Sequence, residues 1–144
     1  MNSDPEVMRY FPQALDRVQS GLFADLIQIG LEEKEHGLWA VELRNDGSLP
    51  PAHFIGFVGL SEPTWDAPFT PCIEIGWRLS RSFWGRGFAT EAAKHVLDFG
   101  FQVLKLNEVL SFTSLLNARS MAVMERLGMT RDIREDFDHP KVET

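Results

Sequence analysis

Two glycines separated by one arginine, Gly85-Arg86-Gly87 in the stretch SFWGRGFATEAAKHVLDFGF (Ser82 to Phe101), stand directly before a segment of helical periodicity. Such a turn gathers free backbone N–H groups at a helix N-terminus, where the helix dipole adds partial positive charge, so its chemistry is anion binding. Arg86 sets a guanidinium beside those amides, a placement suited to phosphate, and Thr90 adds a hydroxyl in the first helical turn. Glycines also serve simply to shape a strand-to-helix connection, and the turn alone fits both uses. The commonest nucleotide motifs are excluded: Gly87 is followed by Phe88-Ala89-Thr90, which breaks GxxxxGK[ST] and GxGxxG alike.

Other reactive side chains are sparse. Cys72 is the only cysteine, so no internal disulfide can form, and no Cys/His cluster has zinc-ligand spacing. No histidine adjoins Cys72 in sequence to activate it as a nucleophile. His95 falls mid-helix, while His53 and His139 lie in proline-bounded loops. The run Asp136-Phe137-Asp138-His139 could rim an amine site with its carboxylates or simply face solvent.

The chain has 144 residues, 44% of them hydrophobic and 24% charged, which suits one domain with a core. Its net charge of −7 opposes the broad attraction that drives nucleic-acid binding. No run approaches the roughly 20 apolar residues of a membrane span. The opening MNSDPEVMRY has neither the basic flank nor the apolar centre of a secretory signal. A cytoplasmic protein that binds neither nucleic acid nor membrane, and no metal, is expected.

Ser3 with Asp4-Pro5-Glu6 predicts a short helix to about Tyr10. After Pro12 a longer helix spans Gln13 to His36, with Leu15, Val18, Leu22, Phe23, Leu26, Ile27 and Ile29 or Gly30 as its apolar face. Strands follow at Leu38 to Leu43, closed by the turn Asn45-Asp46-Gly47, at Phe54 to Leu60, and at Ile73 to Leu79. Gly56 and Gly59 mark a bulge or a close neighbour in the second. These three form an antiparallel meander. A helix at Ala89 to Phe101, with Ala89, Ala93, Val96, Leu97 and Phe101 inward, then a strand at Val109 to Thr113, make a crossover unit. Asn117 caps a further helix carrying apolar Met121, Val123, Met124 and Leu127, and Gly128 stops it. Met129 to Ile133 starts a last strand. The fold class is α/β (α+β): a mixed, mainly antiparallel central sheet flanked by helices.

With these residues in place, IEIGWRLSRSFWGRGFATEAAKHVLDFGF followed by VLSFTSLLNARSMAVMERLGM resembles the GNAT acyl-CoA N-acyltransferase superfamily. Within it, the chain is similar to the branch of RimJ/RimL-type ribosomal-protein-alanine acetyltransferases, as is the opening DPEVMRYFP. The resemblance runs from about Asp4 to Asp138. It implies that the glycine turn binds the pyrophosphate of coenzyme A through Trp84, Gly85, Arg86, Gly87, Phe88, Ala89 and Thr90. Trp84 replaces the first residue of the family signature [QR]-x-x-G-x-[GA], as is usual for this branch. It further implies that Trp77, Arg78 and Leu79 line the acetyl and pantetheine arm and that Asn117 contacts the coenzyme.

The reaction so implied is acetyl transfer from acetyl-CoA to a primary amine of a protein N-terminus or a small molecule, by direct attack. An ammonium has no lone pair, so a base must take one proton; the resemblance places that base at Glu74, which could equally be a glutamate on a solvated strand face. The departing thiolate benefits from a proton donor. Many relatives carry a tyrosine seven residues after the asparagine, but here that register falls on Met124, and the only tyrosine, Tyr10, is distant in sequence. Ser120 lies one turn on from Asn117 on the same face; the RimL-like branch implies a donor there, and a capping serine fits as well.

Complete GNAT domains have a strand before the DPEVM helix and another after the DHP loop. Neither is seen, so residues 1–144 are expected to form a single GNAT-like acetyltransferase domain shortened at both ends, lacking the first and last strands. An unpaired edge invites a partner, and a homodimer or a rearranged sheet edge follows as an expectation. The alternative to an enzyme is a non-catalytic acyl-CoA-binding module of the same ancestry.

Overall fold

The computed structural model describes residues 1–44 and 53–142. Three helices, α1 (Arg17–Glu33), α2 (Phe88–Gln102) and α3 (Ala118–Arg126), accompany three strands, β1 (Leu38–Leu43), β2 (His53–Ser61) and β3 (Glu74–Leu79). The strands form an antiparallel sheet in the order β1-β2-β3. The turn expected at Asn45-Asp46-Gly47 lies outside the described residues.

The two faces of the sheet have different roles. Val58, Leu60 and Ile75 point to one side and join Ala93 and Val96 of α2 and Val109 in the buried core. Ile55, Leu60 and Ile75 are fully buried, and truncating such a side chain to alanine costs about 2–5 kcal/mol. Strand alternation turns Glu74, Gly76 and Arg78 to the other face, where Arg78 stands opposite Phe57 and Phe23 of α1 meets the Phe57 ring edge-on at 5.8 Å. Gly59 permits the close approach of the chain entering β1: a Cβ there would lie 2.0 Å from the Gly37 carbonyl oxygen.

Several expectations are corrected. Residues 3–10 form turns rather than a helix, because Asp4, not Ser3, accepts locally from the Glu6 N–H and only Met8 closes a helical bond, to the Asp4 carbonyl. The long helix begins at Arg17 rather than Gln13, where Asp16 and Gln19 build a reciprocal capping box. Of its expected apolar face, Leu15, Phe23, Ile27 and Gly30 are half-buried, whereas Val18, Leu22, Leu26 and Ile29 are exposed. The apolar arc is wider than the single surface that covers it. In α2 it is Gly100, near the side chains of Leu60 and Leu106, that is buried, while Phe101 is exposed.

The strand expected at Val109 to Thr113 is reduced to one parallel bridge, Glu74 with Leu110. Ile75 N–H donates to the Leu110 carbonyl at 2.8 Å and Leu110 N–H to that of Ile73 at 2.9 Å. The next rung is taken by a side chain, since Ser111 Oγ donates to the Ile75 carbonyl at 3.0 Å. Met129 to Ile133 is not a strand either. Gly128, at φ 79°, turns the chain, and Asp132 accepts from the Arg134 N–H to start a 3-10 turn over Ile133–Glu135.

Candidate active site

The glycine turn is bare where a ligand would approach. Gly85 (φ 69°) and Gly87 (φ 82°) occupy the left-handed region, and Gly87 is the N-cap of α2. Among the described residues no side chain caps that N-terminus, and a Cβ at either glycine would meet nothing within 4 Å. The amides of the first turn of α2 therefore retain their capacity for an external acceptor. Arg86 lies over the Phe88 ring at 4.9 Å, and Thr90 is half-buried. Trp84 ties the turn to the sheet, its indole N–H donating to the Leu79 carbonyl at 2.8 Å. A cation missed at the sequence level, Arg119 in the first turn of α3, lies 4.6 Å over the Trp84 ring. Its only signal was its place beside Asn117.

Beside the turn the sheet opens. Ile73 and Ile75 direct their backbone groups to Leu110, so alternation directs those of Trp77 and Leu79 to the same side, beyond the single bridge. Past the Ser111 Oγ bond to the Ile75 carbonyl no further bridge joins the two segments among the described residues, leaving a wedge edged by the Trp77 backbone. The Trp77 side chain packs against the core, and the Arg78 side chain projects to the α1 face, away from the glycine turn's first amides. Across the wedge, Asn117 caps α3: its Oδ1 accepts from the Ser120 N–H at 3.3 Å, and its Nδ2 donates to Thr113 Oγ1 at 3.0 Å and Ser120 Oγ at 3.1 Å. Tyr10, distant in sequence, arrives here too, donating to the Leu116 carbonyl at 2.9 Å.

Glu74 stands at the apex of the wedge. Burial pushes its carboxyl up to about 7, so it holds or releases a proton near neutrality. Burial, followed by the charges of Glu74 and Glu108, raises the Cys72 thiol, which disfavours the thiolate that covalent catalysis would require. Around this end lies an aromatic group absent from the sequence-level reading: Trp65 stacks on Phe137 at 5.6 Å and meets Phe69, Phe112 and His139 edge-on. Burial holds the His139 ring below its usual value. His53 instead sits 5.5 Å from Phe83, near the glycine turn, and His95 is exposed on α2. Asp136 is engaged by Arg131 rather than held open for an amine.

Among the described residues no group of three or more His, Cys, Asp or Glu gathers to hold a metal ion, and no helix is long and apolar enough to cross a membrane. Residues 1–130 match the Acetyltransferase (GNAT) domain family. The chain is 30% identical over 129 residues to the protein YkkB of Bacillus subtilis (strain 168), covering 88% of this chain and 70% of the relative. An acetyltransferase from Agrobacterium tumefaciens str. C58 superposes with a TM-score of 0.73 at 28% identity, covering 96% of this chain and 75% of that one. The spermidine N-acetyltransferase of Vibrio cholerae, solved in complex with CoA and spermine, shares the fold at a TM-score of 0.66 and 20% identity, over 88% and 69% of the two chains. A mainly antiparallel sheet, a bare glycine turn at a helix N-terminus and a family match over most of the length agree, and the chain belongs to the GNAT acetyltransferases.

Proposed function

We propose that the protein transfers the acetyl group of acetyl-CoA to a primary amine by direct attack, with Glu74 as the base that frees the amine's lone pair. One observation carries this reading: Glu74 is the residue of the last backbone bridge before the chain segments part, and burial there pushes its carboxyl up to about 7. A base poised there takes a proton from an ammonium at neutral pH and can return it to solvent. The Trp77 N–H, on the open edge of β3, is suited to polarise a thioester carbonyl seated in the wedge. The bare amides of α2, with Arg86 and Arg119 beside them, suit the coenzyme's diphosphate, and Asn117 suits its pantetheine arm. Ser120 is the proposed proton donor to the departing thiolate. The RimJ/RimL-type branch is the reading that Trp84 and the DPEVM opening favour.

Release of free thiol from acetyl-CoA, followed with and without a panel of primary amines, tests the proposal. Amine-dependent release that is lost in Glu74→Gln supports it. Tight coenzyme binding with no release for any amine would leave an acyl-CoA-binding module instead.

A further inference from the structure

Among the described residues Arg78 is a cation without an anion. It lies four residues beyond Glu74 on the same side of β3, and its guanidinium is covered by the rings of Phe11 at 4.0 Å, Phe57 at 5.1 Å and Phe23 at 5.6 Å. Nη1 donates to Asn2 Oδ1 at 3.0 Å, while Nε is buried with no partner among the described residues. No carboxylate among those residues pairs with it. Burial lowers it to about 10, which still leaves it charged at neutral pH. Buried charges are ordinarily paired, because a guanidinium loses solvation that rings and one amide restore only in part. Here the edge that carries Nε, the one shaped for a planar two-oxygen acceptor, is uncommitted.

The strand surface between Glu74 and Arg78 is open, since a Cβ on Gly76 would meet nothing within 4 Å. Asn2, Phe23 and Phe57, which contact the guanidinium, also line a neighbouring cavity of about 560 Å³ between the N-terminal residues, α1 and the sheet, which Arg78 itself does not line. Phe11, 39% exposed, is the outermost of the rings on the guanidinium. At about 3.3 Å of rise per residue, the α-carbons of Glu74 and Arg78 are about 13 Å apart. With the two side chains standing parallel off the strand their ends keep about that separation, and a hydrogen bond of about 3 Å at each end then leaves about 7 Å for a ligand joining them.

We infer that Arg78 holds a carboxylate of the acceptor, so that the acceptor is an ω-amino acid: a primary amine directed to Glu74, a carboxylate on the Nε edge of Arg78, and an extended chain of several methylenes over Gly76. The inference rests on the acetyl-transfer reading and narrows its substrate class. The Phe11 ring moves aside to admit the carboxylate and then keeps water from the ion pair. Acetyl transfer itself is unchanged: the amine nitrogen bonds to the acetyl carbon, the carbon–sulfur bond breaks with its electron pair leaving on sulfur, the amine's proton passes to Glu74, and the coenzyme A thiolate takes a proton from Ser120.

The test compares 6-aminohexanoate, which has this span, with hexylamine, which has the same amine and no carboxylate, and with glycine, which is too short. The wild-type enzyme is expected to favour 6-aminohexanoate over both by at least tenfold in kcat/KM, mainly through a lower KM. In Arg78→Lys and Arg78→Met that ratio should fall towards unity. Calorimetric titration of the coenzyme-loaded protein reads the same preference without turnover. Equal kcat/KM for hexylamine and 6-aminohexanoate would overturn the carboxylate site and leave acetyl transfer standing. Absence of thiol release with every amine would overturn the acetyl-transfer reading, and the inference with it.

Discussion

The hydroxyl of Tyr10 donates to the carbonyl of Leu116 at 2.9 Å, joining the N-terminal arm to the residue before the α3 cap across 106 positions of sequence. The same arm supplies Asn2 and Phe11 to Arg78, so one segment touches both the loop before α3 and the α1 face of β3. Tyr10→Phe removes an exposed hydrogen bond and is expected to lower stability by about 0.5–1 kcal/mol in urea unfolding. Amide exchange should quicken over residues 1–16 and stay unchanged in α2. Unaltered exchange in the arm would show that the hydroxyl does not secure it.

Glu74→Gln has two separable effects. The buried carboxyl ionises near 7, against an ordinary value of 4.5, so the folded state disfavours its charged form. Its contribution to stability is therefore fully present below about 4.5 and declines as pH rises through 7. The glutamine variant should be the more stable protein at pH 8, by up to about 3 kcal/mol, with the difference vanishing near pH 4. Turnover should suffer most between pH 7 and the pKa of the amine. Below 6 the wild-type carboxyl is protonated as well, and the two proteins should converge. Parallel stability curves at pH 4 and 8 would refute the buried ionisation.

Gly87→Ala places a side chain where φ is 82°. No neighbour would meet the new methyl, so the cost is backbone strain alone, about 1–2 kcal/mol. Relief of that strain rotates the amides that begin α2, and affinity for coenzyme A is expected to fall at least tenfold by calorimetry. Loss of stability with unchanged affinity would remove these amides from the binding site.

Ser120→Ala separates catalysis from capping. The Ser120 N–H donates to Asn117 Oδ1, a bond the variant keeps, while the Oγ that accepts from Asn117 Nδ2 is lost. Stability should therefore change by less than about 1 kcal/mol, whereas kcat should fall by roughly 100-fold if the hydroxyl protonates the thiolate. Full kcat with intact coenzyme affinity assigns Ser120 to the cap alone. Asn117→Ala, which removes the cap itself, should cost about 1 kcal/mol.

Local signals were read where local physics decides. The strand at Leu38 to Leu43 falls as its alternation predicts, α2 begins one residue before the expected Ala89, Asn117 caps α3, and Gly128 ends it in the left-handed region. The misread elements share a cause. At Ser111 a side chain replaces a rung of the ladder, at Asp4 another ties up an N–H locally, and on α1 a broad apolar arc does not say which of its sides the sheet covers.

From its own order of residues the chain determined the strand, the glycine turn and the uncapped helix N-terminus, because hydrogen-bond supply and left-handed backbone are properties of near neighbours. Only the tertiary structure decided that burial pushes the Glu74 carboxyl up to about 7, that Arg78 turns to the face opposite the core, and that Tyr10 reaches Leu116. Burial and charge separation depend on which distant segments exclude water from a group, and that is settled when the sheet, α1 and the N-terminal arm close on one another.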